Sequence, residues 1–366
     1  MRRKNFLSVL ILKFLKFILG KKENDSKDIG NPKEILIVRQ HNQFGDLLAS
    51  TPLFSAIKEK YPLCNITIIV SPQNRNAIGK NILVENIFVF DKKKILNPIY
   101  IFRLFKLLRF KYDVTIVPIT ISISFTSNFL CRLSKTKIRI GPKSLNGKVN
   151  DSLFFFDRRI DMSWENNPKR YVADYGLDII RPFGIDTRNY KIIISTDEID
   201  DTEAKNFIEE IRLEKGEFLI GLHIGAGKIQ NRWNVDNYCS LIKQLKGNYK
   251  VKFYLTGTDA DNEQNQNLNE KLNFHIPCFL NKNISQTAAL ISKSNLFITN
   301  DTGIMHVAGA TDTPQISLFG PTIPEQWSPV GDHKYYLKYD ENIDSITVRD
   351  VFNKCINLLG KQNFIK

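Results

Sequence analysis

Short apolar runs recur along this chain in two series, separated by longer amphipathic stretches, and no other feature restricts the fold as strongly. The first series is EILIVR (34–39), NITIIV (65–70), NIFVF (86–90), DVTIVP (113–118) and KIRIG (137–141). The second is FLIGLH (218–223), VKFYLTG (251–257), FHIP (274–277), LFITN (296–300) and QISLFG (315–320). Runs of this length read as buried strands, and the helical stretches between them supply the crossovers of parallel, doubly wound sheets. At 366 residues the chain has room for two domains, so it is expected to be α/β with two halves. The stretch from Arg181 to Asp201, which contains Pro182 and Gly184, reads as the linker. Two halves facing each other would place a ligand cleft at the carboxyl ends of both sheets.

A content of 42% hydrophobic and 25% charged residues excludes a disordered chain, and the formal charge of +14 favours an acidic partner such as a phosphorylated glycan or an anionic membrane. Nucleic acid is not expected, because no basic helix interleaved with stacking aromatics forms a recognisable motif. Cys64, Cys131, Cys239, Cys278 and Cys355 are widely spaced, which signals neither a zinc site nor a disulfide framework. The opening MRRKNFLSVLILKFLKFILG is basic and apolar together. Lys13 and Lys16 interrupt it too often for a comfortable transmembrane span, so it reads as an interfacial helix followed by a polar linker (21–33). The helical stretch 97–113 carries Arg103, Lys106 and Arg109 beside Phe and Leu; a membrane-facing face is conceivable, but a sheet-covering helix with a solvated basic edge needs fewer assumptions.

Three loops have the residues for chemistry. After the first strand, QHNQFGD brings Gln43, Gly45 and Asp46 to a carboxyl strand end, where Gly45 permits a tight turn and Asp46 is either a general base or an N-cap. The helix beyond begins either at Asp46 or after Ser50, with Pro52 in its first turn. After FLIGLH, the run Gly225-Ala226-Gly227 suggests a dinucleotide turn, but Gln230 occupies the third glycine position and the Walker spacing also fails. What remains is a small-residue loop with Lys228 and Arg232, cations suited to a diphosphate, and Trp233 reads as core. Asp259 and Asp261 form an Asp-x-Asp in a polar stretch that fits a solvated loop better than a metal site. In NDTGIMHVAGA (300–310), Asp301, Thr302 and Gly303 supply cap chemistry for a helix opening near Ile304. Its N-terminus suits a phosphate, and His306, one turn on from Thr302, is expected at the rim of that pocket.

Taken together, ILIVRQHNQFGDLLASTPLFSAIKEKYP, IGLHIGAGKIQNRW and FITNDTGIMHVAGATDTPQISLFGPT, with Trp327 and Pro329 beyond, resemble glycosyltransferase family 9, the lipopolysaccharide heptosyltransferases, over about residues 34 to 345. The resemblance implies a GT-B fold of two facing Rossmann-like domains. The expected division is a basic N-terminal segment (1–33), an acceptor domain (34–185), a donor domain (186–345) and a C-terminal helix (346–366). It also implies inverting, metal-independent sugar transfer with no cofactor, from a nucleotide-sugar donor such as ADP-heptose to a lipid-linked glycan at the cytoplasmic face of the inner membrane. Asp46 then matches the catalytic base, and Asp301, Thr302, Gly303 and His306 match the donor motif. Ala226 and Gly227 fall where the family often binds phosphate with hydroxyl residues, Glu263 lies near its ribose-binding acid, and Gln43 and Gly45 lie on the acceptor side. One position departs: the lysine usually found two places before the tryptophan is Asn231, so either Arg232 or Lys228 takes over its charge. A nucleotide-sugar epimerase and a non-catalytic membrane-surface protein are the alternative readings.

Overall fold

The computed structural model describes residues 6–40 and 43–362. The first five residues of the basic N-terminal stretch, His41 and Asn42 of the polar loop, and the last four residues of the 346–366 segment lie outside them. The chain divides between Tyr190 and Lys191 into two compact units.

Among the described residues, the first unit is built on β1 (Glu34–Arg39), β2 (Asn65–Val70), β3 (Asn86–Val89), β4 (Tyr112–Ile116), β5 (Thr136–Leu145), β6 (Lys148–Val149) and β7 (Arg158–Met162). Their order is β3-β2-β1-β4-β5-β6, with β7 paired to β5, and every pairing is parallel except the β5–β6 hairpin. The second unit holds β8 (Phe218–His223), β9 (Val251–Gly257), β10 (Cys278–Leu280), β11 (Leu296–Asn300), β12 (Gln315–Leu318) and β13 (Lys334–Leu337), parallel throughout in the order β10-β9-β8-β11-β12-β13. Each sheet therefore reverses its winding once, between β1 and β4 and between β8 and β11. Ligands of doubly wound folds bind outside the carboxyl ends of the strands at such a point.

The central strands are buried from end to end, as expected for parallel strands covered on both faces. Helix Pro98–Arg109 and helix Phe125–Leu133 place Leu104, Leu108, Leu130 and Cys131 against Leu36, Val38 and Phe156. In the second unit, the C-terminal helix Val348–Gln362 sets Val351, Cys355, Leu358 and Leu359, one helical stripe, on the core with Trp233 and Leu222. All five cysteines are free, and Cys278 alone of them is only partly buried. Tyr190 Oη donates to Asp174 Oδ1 at 2.6 Å and Thr187 Oγ1 to Glu59 at 3.1 Å, contacts that carry the first unit past Ile185.

Two readings need correction. Residues 274–277 are not a strand, because Asn269 brackets Ile276, accepting from its N–H at 2.8 Å and donating to its carbonyl at 3.3 Å, so pairing with β9 starts only at Cys278. The helix expected over 97–113 is shorter. Asn97 caps it by accepting from Tyr100 N, Pro98 opens it, and by Tyr112 the chain is already in β4. The strands β7 and β13 went unread because RRIDM and KYYL have no apolar run.

Gly221 in the middle of β8 marks a tight approach: a Cβ there would lie 2.4 Å from the Tyr254 ring and 2.5 Å from Phe297. Gly221→Ala should destabilise the protein by about 1–3 kcal/mol through overpacking. Urea denaturation checks this, and an unchanged midpoint would mean that the two rings can move aside.

Candidate active site

At the first switch point, β1 ends in Arg39 and the chain enters a short helix, Phe44–Ala49. Gln43 stands exposed ahead of it with extended backbone and makes no side-chain cap. Gly45 and Asp46 are its second and third residues, so Gly45 is not at a tight turn and Asp46 is not an N-cap. A second helix, Pro52–Lys60, follows Ser50 and Thr51. Those two hydroxyls donate back to Asp46 O at 2.6 Å and Leu48 O at 2.7 Å, and Pro52, which lacks an N–H, opens the new helix.

Asp46 is 9% exposed and Arg39 only 1%. The Arg39 guanidinium donates to Pro118 O at 3.2 Å and to Thr120 Oγ1 at 3.1 Å, and Thr120 in turn donates to Asp46 Oδ2 at 3.3 Å. A cation thus reaches the carboxylate through one hydroxyl. Burial raises the Asp46 pKa above the ordinary carboxylate value, while Arg39 and Thr120 oppose the rise. Burial likewise lowers that of Arg39. A carboxylate held this way is more basic than a solvated one, which suits proton abstraction. Trp164, stacked on Tyr175 at 3.9 Å between ring centroids, donates to Thr120 O at 2.9 Å and fixes that loop. Arg39 and Thr120 were missed from sequence. An arginine closing an otherwise apolar strand was the available signal.

At the second switch point, the loop after β8 is held by Asn300, the last residue of β11. Its Nδ2 donates to Ile224 O at 2.8 Å and Gly225 O at 3.3 Å, and its Oδ1 accepts from Trp233 N at 3.3 Å and Tyr238 Oη at 3.0 Å. Asn300 also went unread from sequence. Gly225 makes room for a neighbouring side chain and not for a dinucleotide: a Cβ there would sit 2.0 Å from Asp261 Oδ1 and displace that carboxylate. Asp261 caps its own turn, accepting from Thr258 N at 2.9 Å, and Asp259 accepts from Asn281 Nδ2 at 2.7 Å, so both carboxylates of the Asp-x-Asp are engaged locally. Glu263 lies exposed in the first turn of helix Asn262–Leu272. Gly227 has open space where a side chain would be, and Ala226 is buried with its carbonyl accepting from Arg232 Nε at 2.8 Å. That bond parks the Arg232 guanidinium beside the loop, whereas Lys228 stands exposed.

Asn231 is buried and donates to Asp301 at its carbonyl (3.3 Å) and at Oδ2 (3.1 Å), and Thr322 Oγ1 donates to the same carboxylate oxygen. Thr302 caps helix Gly303–Gly309 by accepting from Ile304 N at 3.2 Å. Glycine 303, the first helical residue, is half-buried together with Asp301 and Thr302. His306 departs from expectation. It is 4% exposed, Nδ1 has no hydrogen-bond partner among the described residues, and burial pushes its pKa down to about 4, so it is a neutral ring inside the helix packing and not a titratable group at a rim. The structure therefore gathers Asp301, Thr302, Gly303, Ala226, Gly227 and Arg232 at one switch point and sets His306 behind them.

Two doubly wound halves with polar loops at both switch points have the architecture of the GT-B glycosyltransferases. The sequence model of glycosyltransferase family 9 (heptosyltransferase) matches residues 101–356, and the chain belongs to that family. It is similar to lipooligosaccharide heptosyltransferase 2 of Haemophilus influenzae, with 27% identity over 317 residues, 81% of this chain and 86% of that one. Among solved structures, a family 9 glycosyl transferase from Veillonella parvula superimposes with a TM-score of 0.79 at 20% identity, covering 92% of this chain and 100% of the other. The E. coli ADP-heptose lps heptosyltransferase II gives 0.70 at 20% identity, with coverage of 90% and 99%.

The His306 ring titrates near its ordinary 6.5 when unfolded and near 4 when folded. The stability it contributes is full above about 6.5 and is lost as pH falls toward 4. His306→Leu should reduce the loss of unfolding free energy between pH 7.5 and pH 4.5 by on the order of 2–3 kcal/mol. Equal losses in both proteins would show that the ring is not held neutral.

Proposed function

We propose that this chain is an inverting glycosyltransferase that moves heptose from an ADP-linked donor to a hydroxyl of a lipopolysaccharide core or related glycan, without a metal. The observation that carries the reading is Asp46: a buried carboxylate at a switch point, tied through Thr120 to Arg39 and raised in basicity by its surroundings. The names of the relatives support heptose and ADP as the donor's parts.

In this mechanism Asp46 takes the proton from the acceptor hydroxyl. The freed oxygen bonds to the anomeric carbon as the bond from that carbon to the diphosphate breaks, and attack from the opposite face inverts the centre. No covalent intermediate with the protein forms. Negative charge growing on the departing diphosphate is met by the N–H groups opening helix Gly303–Gly309, the small Ala226–Gly227 loop, and Arg232 with Lys228. Arg232 is favoured over Lys228 for the charge of the family lysine, because the Ala226 carbonyl already orients it. Asn231 cannot supply that charge and instead positions Asp301. Glu263 binds the ribose. Cations and amide groups replace a metal in this scheme, consistent with Asp259 and Asp261 being committed to local hydrogen bonds.

The acceptor is lipid-linked in this reading, and the basic N-terminal segment holds the enzyme at the cytoplasmic face of the inner membrane. Its helix, Phe6–Leu19, exposes Leu10, Phe14 and Phe17 beside Lys13 and Lys16. Among the described residues no helix is long and apolar enough to cross a membrane.

Asp46→Asn should leave folding and donor binding near those of the parent and lower kcat by about two to four orders of magnitude. A product assay with and without acceptor reads this and also separates transfer from epimerisation of the donor; undiminished transfer would remove Asp46 from the chemistry. Because the ionised carboxylate is the working form, turnover should fall as pH drops through its raised pKa. Thr120→Val removes a bond that favours ionisation, so the acid limb of the kcat profile should move to higher pH. A limb that stays in place would mean that Thr120 does not hold the working carboxylate.

A further inference from the structure

The outer side of helix Pro98–Arg109 is unlike that of a helix which only covers a sheet. Its buried stripe is narrow, with Leu104 and Leu108 in the core and Tyr100 and Leu107 partly covered. Opposite that stripe a solvated helix presents polar groups. Here Phe102 is 67% and Phe105 60% exposed, with Ile99 beside them, and Arg103, Lys106 and Arg109 are interleaved among these apolar residues. The helix cannot roll to hide them, because Tyr100 Oη donates to Val89 O at 3.0 Å and accepts from Asp91 N at 2.7 Å. The turn Lys92–Lys94 just before it adds three cations, and no acidic residue occurs from Lys92 to Lys111.

Leu108 O accepts from Lys135 N at 2.7 Å, just past helix Phe125–Leu133, which exposes Phe125 and Leu133 and has no acid. Arg132 of that helix donates to Leu19 O, the end of the N-terminal helix. Apolar side chains and cations are mixed here at a density that matches a surface apolar beneath and anionic on top, and the flanking acids Asp91 and Asp113 are already engaged, by Lys93 N and by Lys137. A bilayer containing anionic lipid has both properties: Phe and Ile enter the headgroup boundary while Lys and Arg meet the phosphates.

We propose that Lys92–Phe110 is an interfacial element that seats the first unit on an anionic bilayer, as a contact separate from the N-terminal helix. This goes beyond the transfer reaction and does not depend on which sugar is moved.

The test uses the full-length protein and vesicles of two parts phosphatidylcholine to one part phosphatidylglycerol, with phosphatidylcholine alone as reference. In Phe102→Trp, the added indole should shift its emission to the blue with the mixed vesicles, relative to the parent protein treated in the same way. The combined variant Arg103→Gln, Lys106→Gln, Arg109→Gln should keep its circular dichroism and melting temperature, since all three side chains are exposed. It should partition into the mixed vesicles on the order of a hundredfold less, about fivefold per cation lost near the surface. Vesicle binding with no emission shift, or equal partitioning of the combined variant, would assign the membrane contact to the N-terminal helix alone and overturn the proposal. Equal binding to phosphatidylcholine alone would overturn the charge argument. If the parent is dimeric on gel filtration and the combined variant is a monomer with unchanged vesicle binding, the face is instead a contact between two copies of this chain.

Discussion

A parallel strand covered on both faces can carry polar chemistry only at its ends. This constraint organises both halves of the protein. β1, β8 and β11 are mostly apolar and finish in Arg39, His223 and Asn300; Arg39 and Asn300 reach sideways to neighbouring loops, and His223 to Thr256 in the adjacent strand β9. In the first unit that reach assembles Arg39, Thr120 and Asp46 from three separate stretches of chain. In the second, Asn300 alone satisfies two carbonyls, one amide and one tyrosine hydroxyl. A buried polar group left without such partners costs about 1–3 kcal/mol, so these strand-end residues support the fold as much as the site.

The strands were legible to the extent that their burial is continuous. EILIVR, NITIIV, FLIGLH, VKFYLTG and LFITN fall at the observed limits because short apolar runs rich in β-branched and aromatic residues, closed by polar or glycine positions, suit a doubly covered strand. β7 and β13 lie at or near sheet margins, where charged and aromatic residues are tolerated and the pattern vanishes, and β10 was displaced by the Asn269 bracket, a side-chain contact invisible to periodicity. Asp46 and the NDTG segment could be singled out because their residue types are unusual at strand ends. Their partners could not. Thr120 lies 74 residues from Asp46 and Asn231 lies 70 from Asp301, and only the folded sheet order brings them together.

His306 shows how helical spacing misleads when direction is ignored. Thr302 and His306 are one turn apart, but Thr302 is the cap and its side chain turns back to the backbone, while the ring four residues on lies among buried Met305, Val307 and Ala308. Residues on one helical face share a side of the helix, and that side can be the one packed away. The same distinction separates Arg232 from Lys228: two nearby cations, one oriented by a backbone carbonyl and one standing in solvent.

The contact of Gly225 with Asp261 has a consequence for how such a chain can change over generations. The loop after β8 and the turn that opens helix Asn262–Leu272 touch where no Cβ fits, so the two positions are not free to drift separately. A side chain at 225 requires the Asp261 carboxylate to turn out of its capping place or be lost, whereas 261 can shorten first at the cost of one cap. The two positions are thereby coupled, and a descendant that kept the Asp261 carboxylate in its capping place would favour glycine at 225 however its substrates diverged.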